Sequence, residues 1–264
     1  MLAVSAGGGR VMFEWFFNRM TFYPQPGIQL DPARIGRPVE EKRITTADGV
    51  ELHAFFLPGQ GDHALLFLHG NAGNASHRLP AAARFAEIGL NVLLLDYRGY
   101  GMSEGRPSEA GIYRDARAAM DWLAEAGYPP ERTLVFGRSL GGAVALDLLD
   151  GNRAGGLILC ATFSSALDMA RTVGFGWAVP FLRERLDSER HMQALTTPFL
   201  QLHGDADEIV PLELGSKLHA AAPADLGRFV TIAGAGHNDI IEYGGEAFWK
   251  PIEAFVREVT APDQ

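Results

Sequence analysis

The chain predicts an α/β protein with a mostly parallel central sheet and helices on both faces. Three observations carry this. Short runs such as ALLFL (64–68), VLLL (92–95) and GLILC (156–160) are apolar at every position, as strands buried on both faces require. Helical patterns alternate with them along the chain, the signature of parallel strands joined by crossover helices. With 264 residues, 47% of them hydrophobic, the chain is long enough to bury one large core.

The elements follow in order. VEEKRITTADGVELHAFFLP reads as two strands joined at Asp48-Gly49, a common hairpin signal, and adds an antiparallel edge. ALLFLHG is the first buried strand, followed by an Ala-rich helix over 76–88 closed by Gly89. After NVLLLD, Ser108 is placed to cap a helix over 108–126, with Ile112, Ala116, Ala119 and Leu123 on one face. The strand TLVFG, a helix over 140–149 and the strand GLILC come next. The strand TPFLQLHG, a helix over 212–221, the strand RFVTIAG and a last helix over 247–259 complete the run.

Residues 162–197 carry helical patterns without a clear strand and read as a small helical cap inserted into the domain. Its apolar members include Phe163, Met169, Phe175, Trp177, Val179, Phe181 and Leu182. They are expected to pack on the body and to line an apolar pocket with the remainder, whereas RERLDSER (183–190) reads as a solvated face. The chain divides into a lead-in segment, 1–38, and a main domain, 39–264.

Composition excludes several classes. A formal net charge of −9 repels phosphate backbones, so nucleic acid is not an expected partner. The single cysteine, Cys160, cannot form an internal disulfide and reads as a buried hydrophobe. The histidines are scattered and Cys pairs are lacking, so no metal site is expected. HGNAGN (69–74) is a Gly-rich loop after a strand, but it lacks the Lys and Ser/Thr of a phosphate loop. No cofactor is expected. The N-terminal stretch is aromatic, but Arg10, Glu14 and Arg19 interrupt it, and it is too short to span a membrane. It reads as a helix packed on the domain. The alternative is peripheral membrane contact through residues 11–23, since Phe13, Trp15, Phe16 and Phe17 suit an interface. A cytoplasmic location fits both.

The chemistry centres on LVFGRSLGGAVAL (134–146), which sets Ser139 between glycines at a strand-to-helix corner. A sharp turn there strains the serine backbone, leaves no room for side chains two positions away and lifts Oγ clear of the sheet. It also points the Leu140 amide, at a helix N-terminus, toward developing negative charge. Ser139 could instead simply cap the helix. A nucleophilic serine needs a base and a group that orients the base. HGDADEIVP offers Asp205, Asp207 or Glu208 in a loop after a strand, and GAGHND offers His237 in another. In a parallel sheet these loops emerge at one edge. His191, His203 and His219 look structural, and Asp96 and Arg98 are expected to pin the DYRGYGMSEGRPSE loop through charge-assisted hydrogen bonds. The loop after ALLFLHG should supply a second oxyanion amide, Asn71.

HGNAGN, DYRGYGMSEGRPSE, GRSLGGAVA, HGDADEIVP and GAGHND, in that order, resemble the alpha/beta-hydrolase family over roughly residues 39–260. The likeness is to its serine-aminopeptidase-like, alpha/beta-hydrolase domain-containing subgroup. The resemblance implies the alpha/beta-hydrolase fold, Ser139 as nucleophile, Asp207 rather than Asp205 as the acid, His237 as the base, and the Asn71 and Leu140 amides as the oxyanion hole. It implies a serine hydrolase acting on an ester or thioester of small to medium hydrophobic acyl groups through an acyl-enzyme. A serine peptidase, or a silent binding protein on the same fold, is the alternative. Because the base must be neutral, the rate is expected to fall toward acid pH.

Overall fold

The structure, a computed structural model, describes residues 17–172, 174, 182 and 185–261. Eight strands form its main sheet: β1 (Glu40–Thr45), β2 (Glu51–Leu57), β3 (Ala64–Leu68), β4 (Asn91–Leu95), β5 (Thr133–Arg138), β6 (Gly156–Cys160), β7 (Phe199–Gly204) and β8 (Gly227–Ile232). Their order across the sheet is β8-β7-β6-β5-β3-β4-β2-β1. The β1–β2 and β2–β4 pairings are antiparallel. All the others are parallel. The leading hairpin is therefore the antiparallel edge that its Asp-Gly turn predicts.

Every residue of β3, β4, β5 and β6 is buried, as their largely apolar runs require. Leu65, Phe67, Leu134 and Phe136 face a core layer closed by α1 (Leu79–Glu87) and α7 (Ile240–Val259). Leu66, Leu68 and Val135 face the opposite layer, closed by α2 (Glu109–Glu125), α3 (Leu140–Leu148), α5 (Ser188–Gln193) and α6 (Leu212–Ala220). Between β6 and α5 lies α4 (Ala166–Thr172). The Ser108 side chain caps α2 through the Gly111 amide, and Ile112, Ala116, Ala119 and Leu123 form its buried stripe. Each fully buried leucine or isoleucine there contributes roughly 2 kcal/mol.

Three local readings change. The last helix starts at Ile240 rather than 247: it runs through Gly245 (φ 47°, ψ −123°) with a kink and contains Pro251. Part of RERLDSER is not a solvated face. Leu186 and Ser188 are buried, and the Arg185 guanidinium pairs with Glu109 at 2.9 Å. A charged run read locally misses a partner 76 positions away. The helix expected over 76–88 opens instead with a 3-10 turn, Ala75–Arg78.

Within 162–197, Phe163, Ala166, Ala170, Leu182 and Leu186 pack into the body's core, with Met169 partly buried against it. Phe175, Trp177, Val179 and Phe181 lie outside the described residues. Phe17 and Phe22 of the lead-in segment are buried in the same core, while Met20 is exposed; residues 11–16, with Phe13, Trp15 and Phe16, lie outside the described part. No helix among the described residues is long and apolar enough to cross a membrane.

Candidate active site

β3, β5, β7 and β8 run parallel, so their C-terminal ends Leu68, Arg138, Gly204 and Ile232 lie at one edge of the sheet. Asn71, Ser139, Leu140, Asp207 and His237 all follow these strand ends.

At the end of β5 the chain turns at once into α3. Ser139 takes φ 53°, ψ −117°, a conformation that L-residues rarely adopt, and its side chain makes no capping bond. The helix-cap alternative for Ser139 is therefore not what its side chain does. The strain, about 1–3 kcal/mol for such a backbone, is held by two hydrogen bonds: the Ser139 amide donates to Cys160 O (2.8 Å) and the Gly142 amide donates to Ser139 O (2.9 Å). The glycines are there for space. A Cβ on Gly137 would sit 2.5 Å from Gly141 O and 2.6 Å from Gly142 Cα, and one on Gly141 would collide with the carbonyls of Leu68 and His69.

The side chains of Ser139, His237 and Asp207 form a hydrogen-bonded chain. His237 Nδ1 lies 2.7 Å from Asp207 Oδ2, and His237 Nε2 lies 3.1 Å from Ser139 Oγ. Facing a carboxylate, Nδ1 carries the proton, which leaves Nε2 as an acceptor for the serine hydroxyl. Asp207 is buried. Burial opposes its ionisation, but the His237 hydrogen bond and charge, with the Val210 and Ile209 amides at 2.7 and 2.9 Å, outweigh that cost and hold the carboxyl below its usual range.

The neighbouring acids do other work. Asp205 is exposed and accepts the Gly234 amide at 2.6 Å, which fastens the loop after β7 to the loop after β8. Glu208 is exposed. Two further bonds join these loops: the Ala206 amide donates to Ala235 O and the Asp205 amide to Ile232 O. Arg138 is buried and donates from Nη2 to His237 O at 2.7 Å. Sequence reasoning missed Arg138, although its place beside the serine was a signal.

His203 satisfies the backbone as expected, through Nε2 to Val210 O at 2.8 Å, and burial pushes its pKa down. His191 pairs with Asp150 at 3.0 Å. Arg98 is clamped between Asp115 and Asp48, and Asp96 joins His53 Nδ1 to the Ala75 amide, so both pin loops as expected. Cys160 is buried, and burial pushes its thiol up to about 12.

The loop after β3 lies beside the serine: a Cβ on Gly70 would stand 3.6 Å from Ser139 Cβ. His69 is buried and its Nδ1 contacts Gly70 O at 2.7 Å. Because a trans peptide points its N–H opposite to its C=O, this grip also sets the direction of the Asn71 amide. Burial, against the pull of Asp96, brings the His69 pKa down to about 4. The imidazole is therefore neutral at pH 7 and donates from Nδ1. Groups of three or more His, Cys, Asp or Glu with the spacing of a metal site are absent among the described residues.

A family profile described as "Serine aminopeptidase, S33" matches residues 59–173. The Arabidopsis thaliana "Alpha/beta hydrolase domain-containing protein WAV2" is 35% identical over 292 residues, covering 97% of this chain and 92% of that protein. Protein bem46 of Schizosaccharomyces pombe is 34% identical over 241 residues, covering 86% and 79%. Among solved structures, a Pyrococcus furiosus esterase superposes with a TM-score of 0.75 at 20% identity, over 91% of this chain and 98% of that one. A Mycobacterium tuberculosis puromycin-hydrolyzing peptidase gives 0.72 at 20% identity, over 87% of this chain and 40% of that one. These last two likenesses are of fold. With the strand order, the loops at one sheet edge and relatives matching nearly the whole chain, the protein belongs to the alpha/beta-hydrolase family.

Proposed function

We propose that the protein is a serine hydrolase that cleaves carboxylic ester or thioester bonds of small to medium hydrophobic acyl groups through an acyl-enzyme. The observation that carries this is the Ser139–His237–Asp207 chain, at 3.1 and 2.7 Å, on a strained strand-to-helix turn. In this reading Ser139 Oγ attacks the acyl carbonyl while His237 Nε2 takes its proton. Asp207 keeps the imidazole in the Nδ1–H tautomer and stabilises it once charged. The amides of Asn71 and Leu140 receive the oxyanion, each donor worth roughly 3–4 kcal/mol. The C–O or C–S bond then breaks, and His237 returns the proton to the leaving group. Water, deprotonated by the same imidazole, attacks the acyl-serine and frees the acid. Of the cap region's apolar residues, Met169 is only partly buried against the core, and apolar surface of that kind suits a hydrophobic acyl group.

The test is labelling by a fluorophosphonate probe, wild type against Ser139→Ala, followed by a p-nitrophenyl ester series of increasing chain length. Labelling abolished by Ser139→Ala, with turnover that peaks at a short or medium chain, is expected. A folded wild type that neither labels nor turns over overturns the proposal in favour of a binding protein on this fold. The family description keeps a serine peptidase as the second reading. Turnover of aminoacyl p-nitroanilides in preference to esters is the result that selects it.

A further inference from the structure

The lead-in segment does more than lead in. Tyr23 and Pro24 pair in parallel with Ala72 and Gly73 of the HGNAGN loop. The Tyr23 amide donates to Asn71 O at 3.0 Å, and the Gln25 amide donates to Gly73 O at 3.0 Å. In return, the Asn71 side chain donates from Nδ2 to Thr21 O at 3.1 Å. Asn74 Nδ2 reaches Gln25 O (2.9 Å) and Gly27 O (2.7 Å), and the Gln29 amide donates to Ser76 Oγ at 2.9 Å. Residues 21–29 thus form a strap along the whole of the loop that follows β3. Phe17 and Phe22, both buried, anchor its start.

A second group closes on the same atom from the other side. Tyr100, fully buried, donates its hydroxyl to Asn71 O at 2.8 Å, and burial raises its pKa, so it remains a donor. Asn71 is thereby held at three points. The peptide before it is oriented by His69 at Gly70 O, the peptide after it by Tyr23 N and Tyr100 Oη at Asn71 O, and its side chain by Thr21 O. A residue has two soft backbone dihedrals, and pinning the peptide plane on either side fixes both. So much restraint on one loop residue goes beyond what closing a loop needs.

We propose that Tyr100 and the strap of residues 21–25 are positioning elements of the oxyanion hole, holding the Asn71 amide in the direction that the transition state requires. This rests on the serine-hydrolase reading above. It makes the N-terminal segment part of the reaction machinery, and it makes Tyr100, some thirty positions from Asn71 in the chain, a determinant of rate. A donor that is preorganised gains its worth in the transition state, not in the bound substrate. The loss should therefore fall on kcat.

The test compares wild type with Tyr100→Phe, which deletes one hydroxyl and keeps the ring. A p-nitrophenyl ester and an alkylboronic acid, whose serine adduct mimics the tetrahedral intermediate, are the probes. Thr133→Val is the control: it removes a buried hydroxyl bond to Tyr128 O at the far end of β5. The expected result for Tyr100→Phe is a fall of about tenfold in kcat with KM nearly unchanged. The boronate inhibition constant should rise by the same factor, and the control should keep wild-type kinetics. If Tyr100→Phe does not fold, Asn71→Ala, which deletes only the tie to Thr21 O, is expected to show the same parallel loss. A folded Tyr100→Phe with wild-type kcat and boronate affinity overturns the positioning role, as does an equal loss in Thr133→Val. A wild type that neither turns over esters nor binds boronate defeats the hydrolase reading, and the positioning role with it. That outcome is distinct from an active wild type matched by its Tyr100→Phe variant.

Discussion

Asp207→Asn is the most discriminating single substitution, because the structure dictates how the new amide must lie. Asp207 Oδ1 accepts two backbone amides, Ile209 at 2.9 Å and Val210 at 2.7 Å, while Oδ2 faces His237 Nδ1. An asparagine has one acceptor oxygen. Turned toward His237, it would set its NH2 against two amide donors and leave both unpaired, at about 1–3 kcal/mol each in a buried site. Turned toward the loop, it keeps both bonds and presents NH2 to His237. The second arrangement wins by three bonds to one. Nδ1 must then accept, the imidazole proton moves to Nε2, and Nε2 can no longer take the proton of Ser139. The expected loss in kcat is roughly 10⁴-fold, with the fold retained. Asp205→Asn should change kcat by less than about threefold, since an exposed amide oxygen can still accept the Gly234 N–H. The assay is p-nitrophenyl ester turnover, with thermal unfolding as the check on integrity. If Asp205→Asn loses as much as Asp207→Asn, or if Asp207→Asn keeps a tenth of wild-type kcat, the tautomer argument fails.

Three further expectations follow from the same contacts. His237 accepts a proton only when neutral, while Asp207 is held charged by its donors, so kcat/KM should fall with unit slope on the acid side. A slope of two on the acid side contradicts this. His69 is brought from 6.5 to about 4 by burial. The unfolded chain then takes up the proton first, so the stability tied to neutral His69 is complete above about pH 6.5 and lost as pH falls to about 4, on the order of 3 kcal/mol. Urea unfolding at pH 7 and pH 4.5 should show a smaller drop for His69→Gln; an equal drop refutes the assignment. Gly141→Ala drives a Cβ into the Leu68 and His69 carbonyls and should cost about 1–3 kcal/mol with a matching loss of activity; a thermal midpoint equal to wild type would show that the turn has slack.

Strands and the order of the reactive loops were legible because both are local signals. Wholly apolar runs such as ALLFL mark buried parallel strands, and a serine among glycines at such a strand's end marks a turn with no room for side chains. The pairing of Asp207 rather than Asp205 with His237 was less legible from the residues alone. It depends on how the chain turns just beyond β7, where Asp207, three residues past the strand, turns in toward the imidazole and Asp205, one residue past it, turns out to the Gly234 amide. Other features were hidden because their signal is not local. Leu186 and Ser188 lie in a charged run but are buried because Arg185 reaches Glu109. The start of α7 at Ile240 was hidden as well: the helix runs through Gly244 and Gly245 with a kink at Gly245, because Ile240 packs into the core before it and Phe248, Ile252 and Phe255 after it. The strap is almost illegible, since its bonds are mostly made by backbone atoms of FYPQPG and leave no pattern in side-chain type.

The three loops are restrained in two different ways, and the difference bears on rate. The acid and base loops are tied to each other through Asp205 and Gly234 and through Ala206 and Ala235. The base loop is tied to the nucleophile strand through Arg138. Displacing one of them drags its neighbours, so these groups keep their mutual geometry even when the edge of the sheet flexes. The loop after β3 takes its restraint from elsewhere, from Tyr97 and Tyr100 after β4 and from residues 21–29. On the proposed assignment of the Asn71 amide, a disturbance of the lead-in segment acts on that oxyanion donor while leaving the Ser139–His237–Asp207 chain in place. Such a lesion would spare proton transfer and weaken charge stabilisation, so its signature is a depressed rate with an unaltered pH profile. A lesion at Asp207 changes both.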